Sequence, residues 1–310
     1  MEFSKLARKL INDQKRDWDL ARKNYEGLKK VKMKTFDFGH YKIDIQFNPE
    51  RIASSAAKVD SKSIESRPCF LCQKNLPPQQ RGLAFDHEYI VLVNPFPIFS
   101  EHLTIPSYSH TEQQILGSFG TMLDLAEKLT DFVIFYNGPK CGASAPDHLH
   151  FQAGNKGFLP IENDYNGGIC CRMVRQTGSV DLSYWPDYQR GIITIKSNNK
   201  TELNDCFRSI YAQLQSLTHE ETEPMLNIIA TFEQGYWVIH IVPRTLHRPE
   251  QYFETGEKQI ILSPAAVDMG GVFITPREED FIKINPDVVK DIFKQICYNA
   301  DTVLTIINQI

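Results

Sequence analysis

The stretch from Phe132 to Gln152 constrains this chain more than any other. An apolar run, Phe132-Val133-Ile134-Phe135-Tyr136, enters a loop rich in Gly, Pro and Ser, and the loop leads into His148-Leu149-His150-Phe151-Gln152. An apolar run, a turn-rich segment and then strict polar/apolar alternation predict strand, loop, strand. Alternate side chains of a strand share a face, so His148, His150 and Gln152 line one surface while Leu149 and Phe151 turn into a core. Imidazole can attack phosphorus or ligate a metal, and the neighbour that fixes its tautomer decides which nitrogen is free. A carboxamide can donate to a phosphoryl oxygen but has no useful acidity. Taken alone, these five residues equally allow a half-exposed strand with two incidental histidines.

Composition narrows the class. The chain has 310 residues, about two domain-lengths, with 42% hydrophobic and 23% charged residues, which describes a folded globular protein. A net charge of -4 and no local basic patch argue against a nucleic-acid partner. No apolar run approaches the ~20 residues of a membrane helix, and the charged N-terminal pattern is no signal peptide. A cytoplasmic protein with no membrane partner is expected. Seven cysteines without a regular framework suit reduced thiols or metal ligation.

His148-Leu149-His150-Phe151-Gln152 resembles the His-x-His-x-Gln motif of the nucleotidyltransferase branch of the histidine-triad superfamily. That branch includes galactose-1-phosphate uridylyltransferase, the diadenosine tetraphosphate phosphorylases and the GDP-hexose phosphorylases. Three upstream stretches match in the family's order: Cys69-Phe70-Leu71-Cys72, Val91-Leu92-Val93-Asn94-Pro95-Phe96-Pro97, and His102-Leu103-Thr104-Ile105-Pro106-Ser107-Tyr108-Ser109-His110. The resemblance spans roughly residues 45 to 165. Leu149 and Phe151 are closer to the GDP-hexose phosphorylases than to the uridylyltransferases, whose motif usually reads His-Pro-His-Gly-Gln.

The resemblance implies that His150 attacks the α-phosphorus of a nucleotide and that Gln152 bonds the phosphoryl oxygens. It places Asn94 on the ribose, and basic residues ahead of the cysteine pair near the phosphates, for which Arg51 and Lys58 qualify. Asn137, Gly138, Lys140, Gly142 and Ser144 would form the anion-holding loop, with backbone N–H groups as donors. By itself Cys69-x-x-Cys72 could be a metal half-site, a redox pair or an accident. Intervals of 37 residues separate Cys72 from His110 and His110 from His148, which would complete a Cys2His2 set. The uridylyltransferases' zinc ligands map onto these four, implying a structural zinc and no organic cofactor. His102 competes for the third ligand position but belongs to the strand His102 to Pro106.

Along the chain, residues 3 to about 29 predict one amphipathic helix, His40 to Phe47 a strand, and Thr111 to Leu129 a helix. Turn-rich sequence after Gln152 places a boundary near 165 to 180. Beyond it, strand, helix, strand and the His-bearing strand Tyr236 to Arg244 repeat the order of the first half, which suggests an internal duplication. The expected architecture is α+β, two histidine-triad-like halves of antiparallel sheet with flanking helices: a catalytic half at 1–170 and a degenerate half at 171–310. Arg244, His247 and Arg248 would suit an acceptor phosphate. Some members of the resembled family bind a second metal in this half, for which His240 and Glu162 would be the remnants; whether one binds here is left open by the sequence. Pro286 to about Ile310 reads as a C-terminal amphipathic helix.

These readings lead to a nucleotidyltransferase working through a nucleotidyl-His150. It would be a nucleoside-diphosphate-sugar phosphorylase, yielding hexose 1-phosphate and nucleoside diphosphate. A hexose-1-phosphate uridylyl- or adenylyltransferase, or a dinucleoside polyphosphate phosphorylase, is the near alternative, and a non-catalytic nucleotide-binding protein with a structural zinc is the alternative of another class. The resemblance also implies a homodimer.

Overall fold

The computed structural model describes residues 2–52, 61–218 and 222–310; Lys58 lies outside the described residues. Thirteen strands are formed among the described residues: β1 Lys32–Asp37, β2 Lys42–Phe47, β3 Gly82–Phe85, β4 Tyr89–Val93, β5 His102–Pro106, β6 Phe132–Asn137, β7 His150–Asn155, β8 Arg172–Thr177, β9 Val180–Tyr184, β10 Ile193–Ser197, β11 Leu226–Glu233, β12 Tyr236–Pro243 and β13 Val272–Thr275. Ten of them make one sheet in the order β3-β4-β5-β7-β6-β11-β12-β10-β9-β8. Its left and right halves have the same connectivity and meet where β6 pairs with β11, antiparallel, Phe135 opposite Ile229. The duplication read from the sequence is therefore built as two copies of one five-stranded unit joined edge to edge, and the fold is α+β.

Register makes the relation exact to the residue. One row crosses all ten strands: Gly82, Leu92, Thr104, Gln152, Phe135, Ile229, His240, Thr194, Ser183 and Met173. Reading outward from its centre, Phe135 matches Ile229, Gln152 matches His240, and Thr104 matches Thr194. Paired residues of neighbouring strands point to the same face, so the whole row lies on one side of the sheet.

The opposite side is closed by helices. Helices Phe119–Lys128 and Lys200–Thr218 follow β5 and β10 and bury Phe119, Met122, Leu123, Phe207, Ile210 and Leu214 against Ile134, Phe151, Ile239 and Ile241. Rings of Phe119 and Phe207 stack at 3.9 Å where the two helices meet. On the row's own side, the second half is covered by a small sheet β1-β2-β13, with β13 parallel to β2, and by helix Pro286–Ile296. Over the first half this cover is incomplete, and a cavity remains.

Three elements differ from the sequence expectation. The N-terminal helix is two helices, Glu2–Asp17 and Asp19–Gly27, parted at Trp18, whose extended backbone lets the indole be buried. The segment expected to be helical from Thr111 forms helix only from Phe119. Its first part instead runs beside the motif strand: Thr111 O accepts from Leu149 N–H and Gln113 N–H donates to Pro146 O. The C-terminal helix is likewise two, Pro286–Ile296 and Ala300–Asn308, broken where Cys297 bridges to Arg244.

Candidate active site and metal centre

β7 begins at His150, which is buried, and a clamp holds its backbone. Gln113, itself buried, accepts from His150 N–H through Oε1 at 2.8 Å and donates from Nε2 to the carbonyls of Asn137 and His150. The ring's Nδ1 lies 2.8 Å from the His148 carbonyl. A carbonyl only accepts, so Nδ1 carries the proton and Nε2 bears the lone pair. Burial pulls the His150 pKa down to about 4, which keeps this imidazole neutral at ordinary pH. No hydrogen bond engages Nε2 among the described residues, and His150 borders the cavity.

The same bookkeeping of donors orients Gln152. Ile98 N–H donates to His102 Nδ1 at 3.2 Å, so Nδ1 is unprotonated. Burial, with the charge of Arg51, holds the pKa of His102 at about 3, so the ring is neutral and its proton sits on Nε2. That N–H meets Gln152 Oε1 at 3.0 Å. Asn94 Nδ2 donates to Thr104 Oγ1 at 3.0 Å and lies 3.5 Å from the same Oε1. With its oxygen so engaged, Gln152 presents its amide N–H groups to the cavity.

The cavity is about 390 Å³, within the range of small-molecule sites. Leu92, Thr104, Gln152 and Phe135 of the row form its floor; Trp18, Phe70, Leu76, Pro77 and Phe96 give it an apolar end; Ser263, Ala265 and Asp268 close it from the C-terminal part of the chain. Two guanidinium groups reach it. Arg51 donates from Nη1 to the Phe96 carbonyl at 2.7 Å; burial lowers its pKa to about 10, opposed by the charge of Asp268. Arg67 donates from Nη2 to Ser144 O at 2.8 Å and lies 5.0 Å over the Phe70 ring. Asp268 is buried, and burial pushes its carboxyl up to about 7 against the N–H groups of Ala265 and Ile274.

Beside the cavity, Cys69, Cys72, His110 and His148 bring four ligand atoms within 4.8 Å of one another. Cys69 Sγ is 3.2 Å from His148 Nδ1 and Cys72 Sγ 3.1 Å from His110 Nδ1. His148 donates from Nε2 to Ser107 O at 2.8 Å, which leaves Nδ1 unprotonated toward the thiols. Two thiolates and two imidazoles at these separations fit tetrahedral zinc. His102, the competitor for the third position, stands in the Gln152 network instead.

Of the loop residues, Asn137, Gly142 and Ser144 border the cavity. Asn137 Oδ1 accepts from Asn227 Nδ2 and Ala266 N–H, tying β6 to the C-terminal wall. Gly142 has φ +92°, and a Cβ there would meet Ala265 Cβ at 2.5 Å, so only glycine fits. Two members of the expected cradle do not reach it. Gly138 N–H donates to Leu226 O across the seam between halves, and Lys140 is exposed and outside the cavity lining. Arg244 is corrected more firmly. It is fully buried, with Nε on Ile296 O, Nη1 on Asn227 Oδ1 and Pro264 O, and Nη2 on the carbonyls of Leu246 and His247. All five donors hold the chain together, and none faces a ligand. Arg248 donates from Nε to Ser263 Oγ and stacks 4.1 Å over Tyr252, and Ser263 in turn borders the cavity. Glu162 accepts from the N–H groups of Gly157 and Leu159 as a helix cap.

His102, Gln113, Arg67 and Asp268 were not identified as site residues from the sequence. Arg67 stands two residues before Cys69, and that adjacency was the available signal; the others are placed by contacts between segments far apart in sequence.

This architecture, two copies of one five-stranded unit in a single sheet with the strand of His150 and Gln152 beside the cluster of Cys69, Cys72, His110 and His148, is shared with solved structures. Among solved structures, yeast Ap4A phosphorylase Apa2 in complex with AMP matches with a TM-score of 0.65 at 16% identity, covering 95% of this chain and 97% of its own. The same yeast enzyme in complex with Ap4A matches at 0.57 and 16% identity, over 90% of this chain and 96% of its own. At such identity the likeness is one of fold. A family model described as a domain of unknown function, DUF4922, matches residues 10–155. No curated protein matches in sequence. No helix among the described residues is long and apolar enough to cross a membrane.

Proposed function

We propose that this protein is a nucleotidyltransferase of the phosphorylase type that works through a covalent nucleotidyl-His150. The observation that carries the reading is the pair of pinned side chains at the cavity floor: a neutral imidazole with Nε2 free, and an amide with its N–H groups turned the same way. Nε2 attacks the α-phosphorus of a nucleotide anhydride; the P–N bond forms as the P–O bond to the leaving phosphate breaks, and that group departs with the bonding pair. The Nδ1 proton stays in place, and the His148 carbonyl stabilises the positive charge that grows on the ring. Gln152, Arg51 and Arg67 meet the charge on the phosphoryl oxygens, where one preorganised donor contributes about 3 kcal/mol. Inorganic phosphate then attacks the same phosphorus, a new P–O bond forms, the P–N bond breaks, and Nε2 recovers its lone pair. Asn94 serves the ribose.

In this reading the half at 1–170 performs the chemistry and the half at 171–310 supports it. Zinc, held by Cys69, Cys72, His110 and His148, would supply rigidity by tying the segment before β3 to the entry of β7. The donor is a nucleoside-diphosphate hexose, as the Leu149 and Phe151 variant of the motif suggests. A dinucleoside polyphosphate is the second reading, favoured by the fold shared with an Ap4A phosphorylase along nearly the whole chain.

The test is incubation with nucleoside-diphosphate hexoses and dinucleoside polyphosphates, with and without phosphate, following intact mass and released products. A mass increase of one nucleotidyl group, discharged by phosphate, is expected. An adduct discharged only by a hexose 1-phosphate would move the assignment to uridylyl-type transfer, and no adduct with any donor would sink the covalent reading.

A further inference from the structure

The metal centre and the cavity are joined by one carboxylate. Asp147 precedes the ligand His148, and its Oδ2 lies 3.5 Å from Nε2 of the ligand His110. A His110 that binds metal through Nδ1 carries its proton on Nε2, the nitrogen facing Asp147. The other oxygen, Oδ1, is buried, makes no hydrogen bond among the described residues, and faces Arg67 Nη2 at 3.9 Å. Arg67 borders the cavity, and its Nε is likewise buried and unpartnered. A buried carboxylate oxygen and a half-buried guanidinium of opposite charge thus stand just beyond hydrogen-bond length, each with unused capacity. The guanidinium is held by Ser144 O, which accepts from the same Nη2, and by the Phe70 ring beneath it, and Asp147 is the carboxylate that can complete its orientation.

We propose that Asp147 is a positioning residue that couples occupancy of the metal centre to phosphate binding in the cavity, through the chain His110, Asp147, Arg67. The inference rests on the reading of the cavity as a nucleotide site and of Arg67 as a phosphate contact. Metal on His110 polarises its Nε2–H, which draws Asp147 into a fixed orientation, and Asp147 in turn orders Arg67 for a phosphoryl group. Coupling of binding equilibria is reciprocal, so a phosphate in the cavity must also tighten the metal.

The experiment uses the full chain loaded with zinc. Affinities for AMP and adenosine are measured by calorimetry, and zinc loss to a chelator is timed with and without AMP. In the unaltered protein AMP should bind more tightly than adenosine and should slow zinc loss. Arg67→Met should cut the preference for AMP over adenosine about tenfold and abolish the protection. Asp147→Asn should do the same while keeping its zinc and its adenosine affinity, and the double variant should lose no more than Arg67→Met alone. An Asp147→Asn chain with the original preference and the original protection overturns the coupling, as does an Arg67→Met chain in which AMP still slows zinc loss. If neither AMP nor adenosine binds, the nucleotide-site reading itself fails; the coupling is then read with inorganic pyrophosphate, whose protection of zinc must still depend on Arg67 and Asp147.

Discussion

The two halves of the large sheet share one row of paired residues, and among the described residues the cavity of the candidate site stands over the first of them. In the first half Asn94, Thr104, Gln152 and His102 are bonded into a single network, with His150 one pleat away. The same sites in the second half hold Trp185, Thr194, His240 and Ile192, and Val238 stands where His150 does. The threonine is common to both, and so is its bonding: Trp185 Nε1 donates to Thr194 Oγ1 at 2.8 Å as Asn94 does to Thr104, and Thr194 Oγ1 lies 2.9 Å from His240 Nδ1. Around that shared scaffold the second half is packed solid. Rings of Trp185 and Tyr165 lie 5.6 and 5.2 Å from the His240 ring, and Tyr188 packs on Trp185 at 4.6 Å. One framework thus has two uses: small polar side chains leave room above the floor, and large aromatic ones fill the room and brace the fold.

The sharpest break between halves is at His150, the proposed nucleophile. Replacing His150→Gly should abolish the nucleotidyl adduct and lower turnover by about 10⁴-fold or more, while metal content stays; an adduct retained by this variant would displace His150 from its role. Next comes the Cys2His2 cluster, which the second half does not repeat among the described residues. Cys69→Ser should reduce zinc to near zero per chain and lower unfolding stability by several kcal/mol, on the order expected when a folding-linked metal is lost; metal analysis and denaturant melts read both.

Giving the first half the residue of the second at one site, His102→Ile, should leave Gln152 free to turn. The rate of adduct formation should fall about 10²-fold or more with AMP affinity little changed, and a variant that loses AMP affinity and rate in equal measure would speak against an orienting role.

Acid separates the halves by a smaller amount. Protonation of Nε2 removes the lone pair of His150, so adduct formation should hold steady as pH falls from 8 and halve only near 4, where an unperturbed histidine would halve it near ~6.5. For His240, burial lowers the folded pKa to about 3. The unfolded chain then takes up the proton first, so stability is full above ~6.5 and falls as pH drops toward 3, by about 1.4 kcal/mol per pH unit. His240→Gln, which gives the second half the residue of the first, should flatten that slope by one such increment; an unchanged slope would mean that His240 is not held neutral. Smallest of all is the reciprocal exchange: Val238→His in the His150→Gly chain should restore no adduct, because Trp185 and Tyr165 cover that row.

Much of this was legible where burial writes a pattern. The apolar runs of β4 and β6, the alternation leading into β7, and the repeated order of strands and helix all follow from side chains facing a core. The cluster of Cys69, Cys72, His110 and His148 was legible through residue type and resemblance, although its members are far apart in sequence. What stayed hidden lacks such a signature. β8 is exposed at every position and shows no period-two burial, and β1 alternates only between exposed and half-buried positions, which is a shallow pattern. The segment before Phe119 has helical composition, but bonds from Leu149 and Pro146 override it. Arg244 looked like a ligand-binding cation because charge was visible and its carbonyl partners were not. Arg67, with a guanidinium bordering the cavity, passed as a neighbour of the cysteines.

The small sheet has a consequence for how the molecule comes into being. β2, near the start of the chain, is completed by β13, near its end: Asp44 N–H donates to Gly271 O and Asn48 N–H to Thr275 O. The same late segment supplies Ser263, Ala265 and Asp268 to the cavity wall. During synthesis, domains tend to fold from the N-terminus as they emerge, and here that route is blocked for the site itself. His150 is made more than a hundred residues before Ser263, Ala265 and Asp268, and its cavity is not enclosed until they too have left the ribosome. A nascent or truncated chain that stops before residue 263 therefore carries the histidine without the wall that encloses its cavity.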